Sequence, residues 1–367
     1  MNVFILAGEP SGDEYGAQLM RHMLKEKQNI KFVGIGGPLM KKQGLESIAP
    51  FNKMSVLGFF EVIKTLPFFL KLEKNILKLI KNKKPEKIIL IDYPGLNLRL
   101  APKIKALIKT KIFYYISPQI WAWKENRIEI IKKYIDQMMV IFEFEKIWYQ
   151  QRGVDVKYVG HPFLDIWNQD NKNKIIERYG LDAKKPILTL FPGSRKQELN
   201  KHLNLFVRVA LKLKQSIPNL QILLGLHPNI KITQNINHNI KIIQEQPLKA
   251  LEIANAAIVA SGTATLQSAI LNTPAIVVYK MNLISWLLTK KIVKVNYASM
   301  ANIIAKEEVF PEYLQSNANI NNLYQATYNL LIDKVYIKKI SEKIKLINHK
   351  IGDKGASKRA AQYILNH

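Results

Sequence analysis

Asp92 follows the β-branched run 88–91 in the stretch IDYPGLN (91–97). A carboxylate at the carboxyl end of such a run is placed to take a proton from a bound hydroxyl. The same residue, two before Pro94, also suits a turn or a helix cap. The loop Gly8-Glu9-Pro10-Ser11-Gly12-Asp13 offers a second carboxylate, Glu9, beside Ser11, Gly12 and Asp13 on a candidate ligand-facing turn. Small residues there let backbone N–H groups approach an anion at a helix start. The loop matches neither GxGxxG nor GxxxxGK[ST], and reads equally well as a plain strand–turn–helix connection.

Two later loops carry the marks of an anion cradle. Pro192-Gly193-Ser194-Arg195 precedes a helix that opens at Glu198, and Ser261-Gly262-Thr263-Ala264-Thr265 precedes another. A glycine turn, hydroxyls, a guanidinium and helix N-termini together suit a diphosphate. There is no Asp-x-Asp and no HExxH, and the seven histidines have no ligand spacing, so neither a metal nor another cofactor is expected. Arg195 and backbone dipoles are left to meet the charge of a leaving phosphate. His161, in Gly160-His161-Pro162, fits a structural role as readily as a ligand-facing one and receives no catalytic role.

These loops need elements to position them. Short apolar runs at 2–8, 31–37, 87–92, 111–116, 138–142 and 157–160 alternate with amphipathic stretches, and the pattern restarts at 187–193, 220–226, 256–260 and 274–280. Continuous apolar strands between helices signal parallel sheets covered on both faces. The predicted fold is α/β, with two doubly wound, Rossmann-like domains facing a cleft. The first spans 1–165 and the second begins at 166, with the hinge at about 160–170. A length of 367 residues agrees with two cores.

Lys and Arg number 55 against 28 Asp and Glu, a net charge of +27. That excess attracts nucleic acid, anionic lipid or phosphorylated substrates, or it reflects solvated lysine faces alone. The absence of cysteine removes disulfides and thiol chemistry. The N-terminus enters an apolar run at once, which predicts a cytoplasmic protein, and no uncharged apolar run is long enough to span a bilayer.

Residues 54–80 mix Phe59, Phe60, Phe68 and Phe69 with Lys64, Lys71, Lys74 and Lys78, and Lys81, Lys83 and Lys84 follow. This composition suits a segment lying in a lipid interface. The alternative is an amphipathic helix pair, broken at Pro67, that faces the core. The stretch 283–294 has the same character and fits core, lipid contact or a dimer surface.

Taken in order, AGEPSGD (7–13), GIGGPLMKKQG (34–44), MSVLGFFEVI (54–63), IDYPGLN (91–97), YISPQIWAWKENR (115–127), FEFEKIWYQQRG (142–153), VGHP (159–162), FPGSR (191–195), ASGTATLQ (260–267) and YKMN (279–282) resemble the lipid-A-disaccharide synthases across nearly the whole chain. The resemblance implies a GT-B, inverting glycosyltransferase that condenses UDP-2,3-diacylglucosamine with 2,3-diacylglucosamine 1-phosphate (lipid X). The products would be the β-1,6-linked disaccharide 1-phosphate and UDP. It implies Asp92 as general base, alone or with Glu9, and Gly193 to Arg195, Ser261 to Thr265, Gln267 and Asn302 on the UDP-sugar side, within 166–345. It further implies that 346–367 return to the first, acceptor- and membrane-facing domain, that the protein sits on the cytoplasmic face of the inner membrane against anionic lipids, and that a homodimer is allowed.

The sequence departs from the family at Gly95, where a second aspartate is usual, and at Gln267, where glutamate is usual. An amide at 267 can still hydrogen-bond two hydroxyls. Competing readings are a UDP-sugar 2-epimerase or a lipid II glycosyltransferase on the same fold, and a non-enzymatic basic protein on nucleic acid or membrane. The resemblance disfavours nucleic acid as a partner.

Overall fold

In the computed structural model the chain divides into two compact units, Met1–Asn168 with Ile351–His367, and Gln169–Lys350. The structure describes all residues except 55–58, 229, 231, 233–235, 283–285 and 287–294, and the backbone alone for 59–65.

The first unit holds β1 (Asn2–Ala7), β2 (Lys31–Ile35), β3 (Leu45–Ser47), β4 (Lys87–Ile91), β5 (Ile112–Tyr115), β6 (Gln137–Val140) and β7 (Val156–Tyr158). They form one parallel sheet in the order β3-β2-β1-β4-β5-β6-β7. The second holds β8 (Ile187–Phe191), β9 (Gln221–Gly225), β10 (Ile240–Ile243), β11 (Ala256–Ala260), β12 (Ala275–Tyr279) and β13 (Glu312–Leu314), ordered β10-β9-β8-β11-β12-β13 and again parallel. Helices between the strands cover the faces, so the central strands are buried along almost their whole length: every residue of Val3–Ala7 and of Ile88–Ile91 is buried.

The strand order places the ligand loops. In each sheet the order of strand addition reverses once, between β1 and β4 in the first unit and between β8 and β11 in the second. Open α/β sheets bind ligands outside the strand ends at such a switch point. Ala7 pairs with Ile91, so Glu9 and Asp92 leave the first sheet at nearly the same level. Phe191 pairs with Val259, which brings the Gly193 and Ser261 loops off the second sheet together. The strands β3, β10 and β13, absent from the sequence-based expectation, are three or four residues long and lie at sheet edges.

The segment around Pro67 is a single helix, Phe59–Lys83, with Pro67 inside it, and not a pair broken at that residue. Leu72, Ile76 and Ile80 recur every four residues on its buried face, and the Glu73 carboxylate accepts ion pairs from Arg99, at 2.7 Å, and Lys103. This anchoring outweighs the one backbone donor that a proline removes. Phe68 and Phe69 are partly buried against the first unit's core, edge to face at 5.4 Å, so part of each ring is taken up by packing. Among the described side chains of this helix, the exposed large apolar ones are Leu66 and Leu70, at 45% and 53%. The side chains of Phe59 and Phe60, and the stretch 283–294 apart from Trp286, lie outside the described residues. Among the described residues no helix is long and apolar enough to cross a membrane.

The C-terminal helix Ala356–Asn366 is fastened to the first unit by its cap. Asp165 accepts the backbone N–H groups of Gly355 (2.5 Å) and Ser357 (2.7 Å), and Arg359 donates to the Val159 carbonyl at 2.8 Å. A Cβ on Gly160 would lie 2.6 Å from the Arg359 guanidinium, so that glycine serves this junction.

Candidate functional site

At the end of β4 the backbone turns left-handed twice, at Asp92 (φ 43°) and Tyr93 (φ 49°). Non-glycine residues adopt this region at a cost of about 1–3 kcal/mol each and need surrounding contacts to hold them there. The Asp92 carbonyl accepts Asn97 Nδ2 and the Tyr114 hydroxyl, both at 2.6 Å, and Asn97 also donates to the Ile91 carbonyl at 3.2 Å. The Asp92 N–H reaches Tyr115 O at 3.0 Å. Tyr93 donates its hydroxyl to Met54 O at 2.8 Å, and its ring lies where a Cβ on Gly8 would be, 2.5 Å away. Gly8 is therefore required by the Tyr93 ring, whatever its use toward a ligand.

The turn delivers the Asp92 carboxyl into a pocket of about 200 Å³ lined also by Pro94, Ile116, Ser117, Gln119, Trp123 and Glu145. Burial, and then the neighbouring Glu9 and Glu145 carboxyls, push Asp92 up to about 7, while the Tyr93 N–H pulls the other way. Glu145 is wholly buried and likewise pushed up to about 7 by desolvation. It accepts Ser117 Oγ (3.0 Å), Trp121 Nε1 (3.1 Å) and the N–H groups of Ile141 and Phe142 (both 3.2 Å). A carboxyl such as Asp92, half-buried and with its pKa raised towards neutrality, is suited to proton abstraction.

The loop after β1 divides its residues between site and scaffold. Glu9 is half-buried at the start of helix Pro10–Glu26, and Ser11 is half-buried, whereas Gly12 is buried against Ala7. Asp13 is no ligand-facing residue: its buried carboxylate caps helix Pro38–Lys42 by accepting Leu39 N–H (3.0 Å) and Met40 N–H (2.9 Å). His161 is buried and held neutral, its pKa lowered to about 4 by desolvation. Its Nδ1 accepts the Phe163 N–H at 3.2 Å.

In the second unit Gly193 turns at φ 119°, but the amides of Ser194 and Arg195 already donate to Glu198 Oε2, at 2.9 and 3.3 Å. That cradle holds an internal carboxylate. What it offers an anion is the exposed Ser194 hydroxyl and the half-exposed Arg195 guanidinium, 3.5 Å from Glu198 Oε1. At the second loop Gly262 (φ 141°) and Thr263 are open to solvent and Ala264 and Gln267 are half-buried, at the start of helix Thr263–Ile270. Thr265 is fully buried and donates to Gly262 O at 2.9 Å. Ser261 donates to Ala298 O at 2.8 Å.

Asn302, expected to contact the donor, is fully buried and saturated. It donates to Phe310 O and Glu312 Oε1, both at 2.8 Å, and accepts the Val309 and Phe310 N–H groups, both at 2.9 Å. The Glu312 carboxylate continues to Ala298 N–H and Ser299 N–H, at 2.7 and 2.9 Å. Asn302 thus positions the segment that holds Ser261, and Thr265 closes the same loop from within. His202, missed from the sequence, ties the Gly193 loop to the end of β12: Nδ1 donates to Pro192 O and Nε2 accepts the Lys280 N–H, each at 3.1 Å. Among the described residues no group of three acidic or histidine side chains could hold a metal ion.

Residues 3–365 match the family described as lipid-A-disaccharide synthetase. The chain belongs to the lipid-A-disaccharide synthetase family. A lipid-A-disaccharide synthase of Coxiella burnetii is 35% identical over 369 residues, covering 100% of this chain and 98% of that one. Another, from Trichlorobacter lovleyi, is 36% identical, covering 99% and 97%. Membership places the chain among the glycosyltransferases of lipid A biosynthesis.

Solved structures share the GT-B fold. The UDP-GlcNAc 2-epimerase from Neisseria meningitidis bound to UDP-GlcNAc superposes with a TM-score of 0.65 at 12% identity, covering 100% of both chains. CalG4, the calicheamicin glycosyltransferase, superposes at 0.61 and 12%, covering 100% and 97%. One fold thus carries epimerase and transferase chemistry, and the family match decides between them.

Replacing Asn97 by Ala removes two of the hydrogen bonds that hold the left-handed turn. We expect a loss of about 1–3 kcal/mol in thermal or denaturant unfolding and, from misplacement of Asp92, a fall in turnover on the order of 10²-fold. Unchanged turnover in Asn97→Ala would show that the turn does not depend on this side chain.

Proposed function

We propose that the chain condenses UDP-2,3-diacylglucosamine with 2,3-diacylglucosamine 1-phosphate to give the β-1,6-linked disaccharide 1-phosphate and UDP, with inversion at the donor's anomeric carbon. The observation that carries this reading is the half-buried Asp92 carboxyl at a switch point of the first unit, its pKa pushed up to about 7 by desolvation and then by Glu9. Asp92 takes the proton of the acceptor's 6-hydroxyl as that oxygen bonds to the anomeric carbon. The bond from that carbon to the UDP oxygen breaks, and its electron pair leaves with the diphosphate. Glu9 and Glu145 act through Asp92, raising its affinity for the proton. Arg195, Ser194 and the open start of helix Thr263–Ile270 supply positive charge and donors for the leaving group. Gln267 faces the ribose in this reading.

The same reading puts the first unit against the cytoplasmic face of the inner membrane, where acylated substrates reside. Leu66 and Leu70 are exposed, and Lys71, Lys74, Lys78 and Lys81 are exposed on the same helix. Apolar residues beside lysines suit an anionic lipid interface.

Two outcomes test these assignments. Purified wild-type chain should release UDP and form the disaccharide phosphate, with a rate that rises with pH through about 7 and levels above it. The sign follows from the base: below its pKa Asp92 is protonated and cannot accept. Asp92→Ala should lose at least about 10²-fold in rate, and a variant that kept the wild-type rate would remove Asp92 from the mechanism. For the membrane contact, Leu66→Glu with Leu70→Glu should move the protein from phosphatidylglycerol vesicles to the supernatant on sedimentation. Undiminished vesicle binding would place the contact elsewhere.

A further inference from the structure

Beside the pocket that contains Asp92 and Glu145, two cations lie against one of its lining residues, Trp123. The pocket's volume of about 200 Å³ is below the roughly 300–1,000 Å³ of a drug-sized site, a size that suits a single polar ring. Trp123 lines it and is 44% exposed, presenting the flat apolar surface on which a sugar ring stacks. Over that same indole lie Lys124 Nζ, 4.4 Å from the ring centroid, and the Arg127 guanidinium at 5.8 Å. The carboxylate nearest in sequence, Glu125, is engaged by Arg152 at 2.8 Å through both Nε and Nη2. Burial, and then the neighbouring Arg127, lower the Lys124 pKa from its ordinary value.

We propose that this pocket seats the acceptor as a phosphorylated sugar, its ring against Trp123 above the two carboxyls and its phosphomonoester on Lys124 and Arg127. This rests on the proposed condensation, in which the hydroxyl that reacts and the phosphate belong to the same ring. A planar, aromatic-backed guanidinium and a point-charge ammonium together are the donors a phosphate dianion prefers. The carboxyl floor repels such a dianion, so the charges orient the ring: phosphate outward at the rim, neutral hydroxymethyl inward to Asp92. The phosphates of a lipid surface offer the same chemistry to Lys124 and Arg127, and the test separates the two sources.

Binding of 2,3-diacylglucosamine 1-phosphate, and of the same lipid lacking its phosphate, is measured in detergent by quenching of tryptophan emission, which requires no turnover. The steady-state KM for each substrate is measured alongside. In Lys124→Ala with Arg127→Ala the Kd and KM for the phosphorylated acceptor should rise at least ten-fold. Those for the dephosphorylated lipid and for the UDP-sugar should stay within two-fold of wild type, and sedimentation with phosphatidylglycerol vesicles should be unchanged. Lys124→Gln, which keeps the side chain's reach, should give a smaller loss of the same kind and serves if the double variant does not fold. Equal affinity of wild type and variants for the phosphorylated acceptor would overturn the proposal. So would a parallel loss for both acceptors together with loss of vesicle binding, which would assign the cations to the lipid surface. Wild-type chain that binds the phosphorylated lipid through these residues yet forms no disaccharide would instead refute the condensation while leaving the phosphate site standing.

Discussion

Two successive left-handed residues at the end of a central strand hold the first unit's chemistry together. Asp92 and Tyr93 sit in a region that side chains of ordinary amino acids avoid, and the contacts that keep them there shape everything nearby. Asn97 and Tyr114 capture the Asp92 carbonyl, Tyr93 reaches Met54, and Gly8 gives the Tyr93 ring its space. A relaxed turn would point the Asp92 side chain elsewhere. As built, it lines a pocket with Glu145, and desolvation and then the neighbouring Glu9 push its pKa up to about 7. This arrangement opposes stability: a carboxyl whose folded pKa lies above its unfolded value stabilises the fold while protonated, and that contribution is lost as pH rises through about 7. The unit is less stable in the protonation state in which a base must work.

The second unit spends its polar residues differently. Asn302, Glu312 and Ser299 form a closed network whose purpose is to fix Ala298 and, through it, Ser261. Glu198 fills the amide nest of the Gly193 turn with a carboxylate from its own helix. His202 ties Pro192 to Lys280 as a neutral ring, kept so by burial. Few of these groups remain to meet a ligand, and those that do, Arg195, Ser194, Gly262 and Thr263, are the exposed ones.

Much of this was legible in the sequence because parallel strands bury both faces and read as unbroken apolar runs, which located β1, β4, β5, β8, β11 and β12. The short edge strands β3, β10 and β13 have too few residues to show a pattern. The helix through Pro67 was ambiguous because its anchor, Glu73 with Arg99 and Lys103, is a long-range contact. Loop chemistry was readable by residue type but not by direction. Asp13, Thr265 and Asn302 are the types that bind ligands, and burial assigns them to scaffold instead. Glu145 was overlooked for the converse reason, since in FEFEKIWYQ it looks like one more surface acid of an amphipathic helix. The signal available was the capping position: three residues after Phe142, its carboxylate takes the Phe142 N–H.

The central claim is that the fold makes Asp92 a base with a midpoint close to neutrality. Carbon-13 NMR of the chain labelled at the aspartate side-chain carboxyl carbon, with Asp92→Asn used to assign the resonance, follows that proton directly. An Asp92 titration centred near 7, apart from the other aspartates, is expected. An Asp92 carboxyl that titrates near the ordinary aspartate value of about 4 would contradict it.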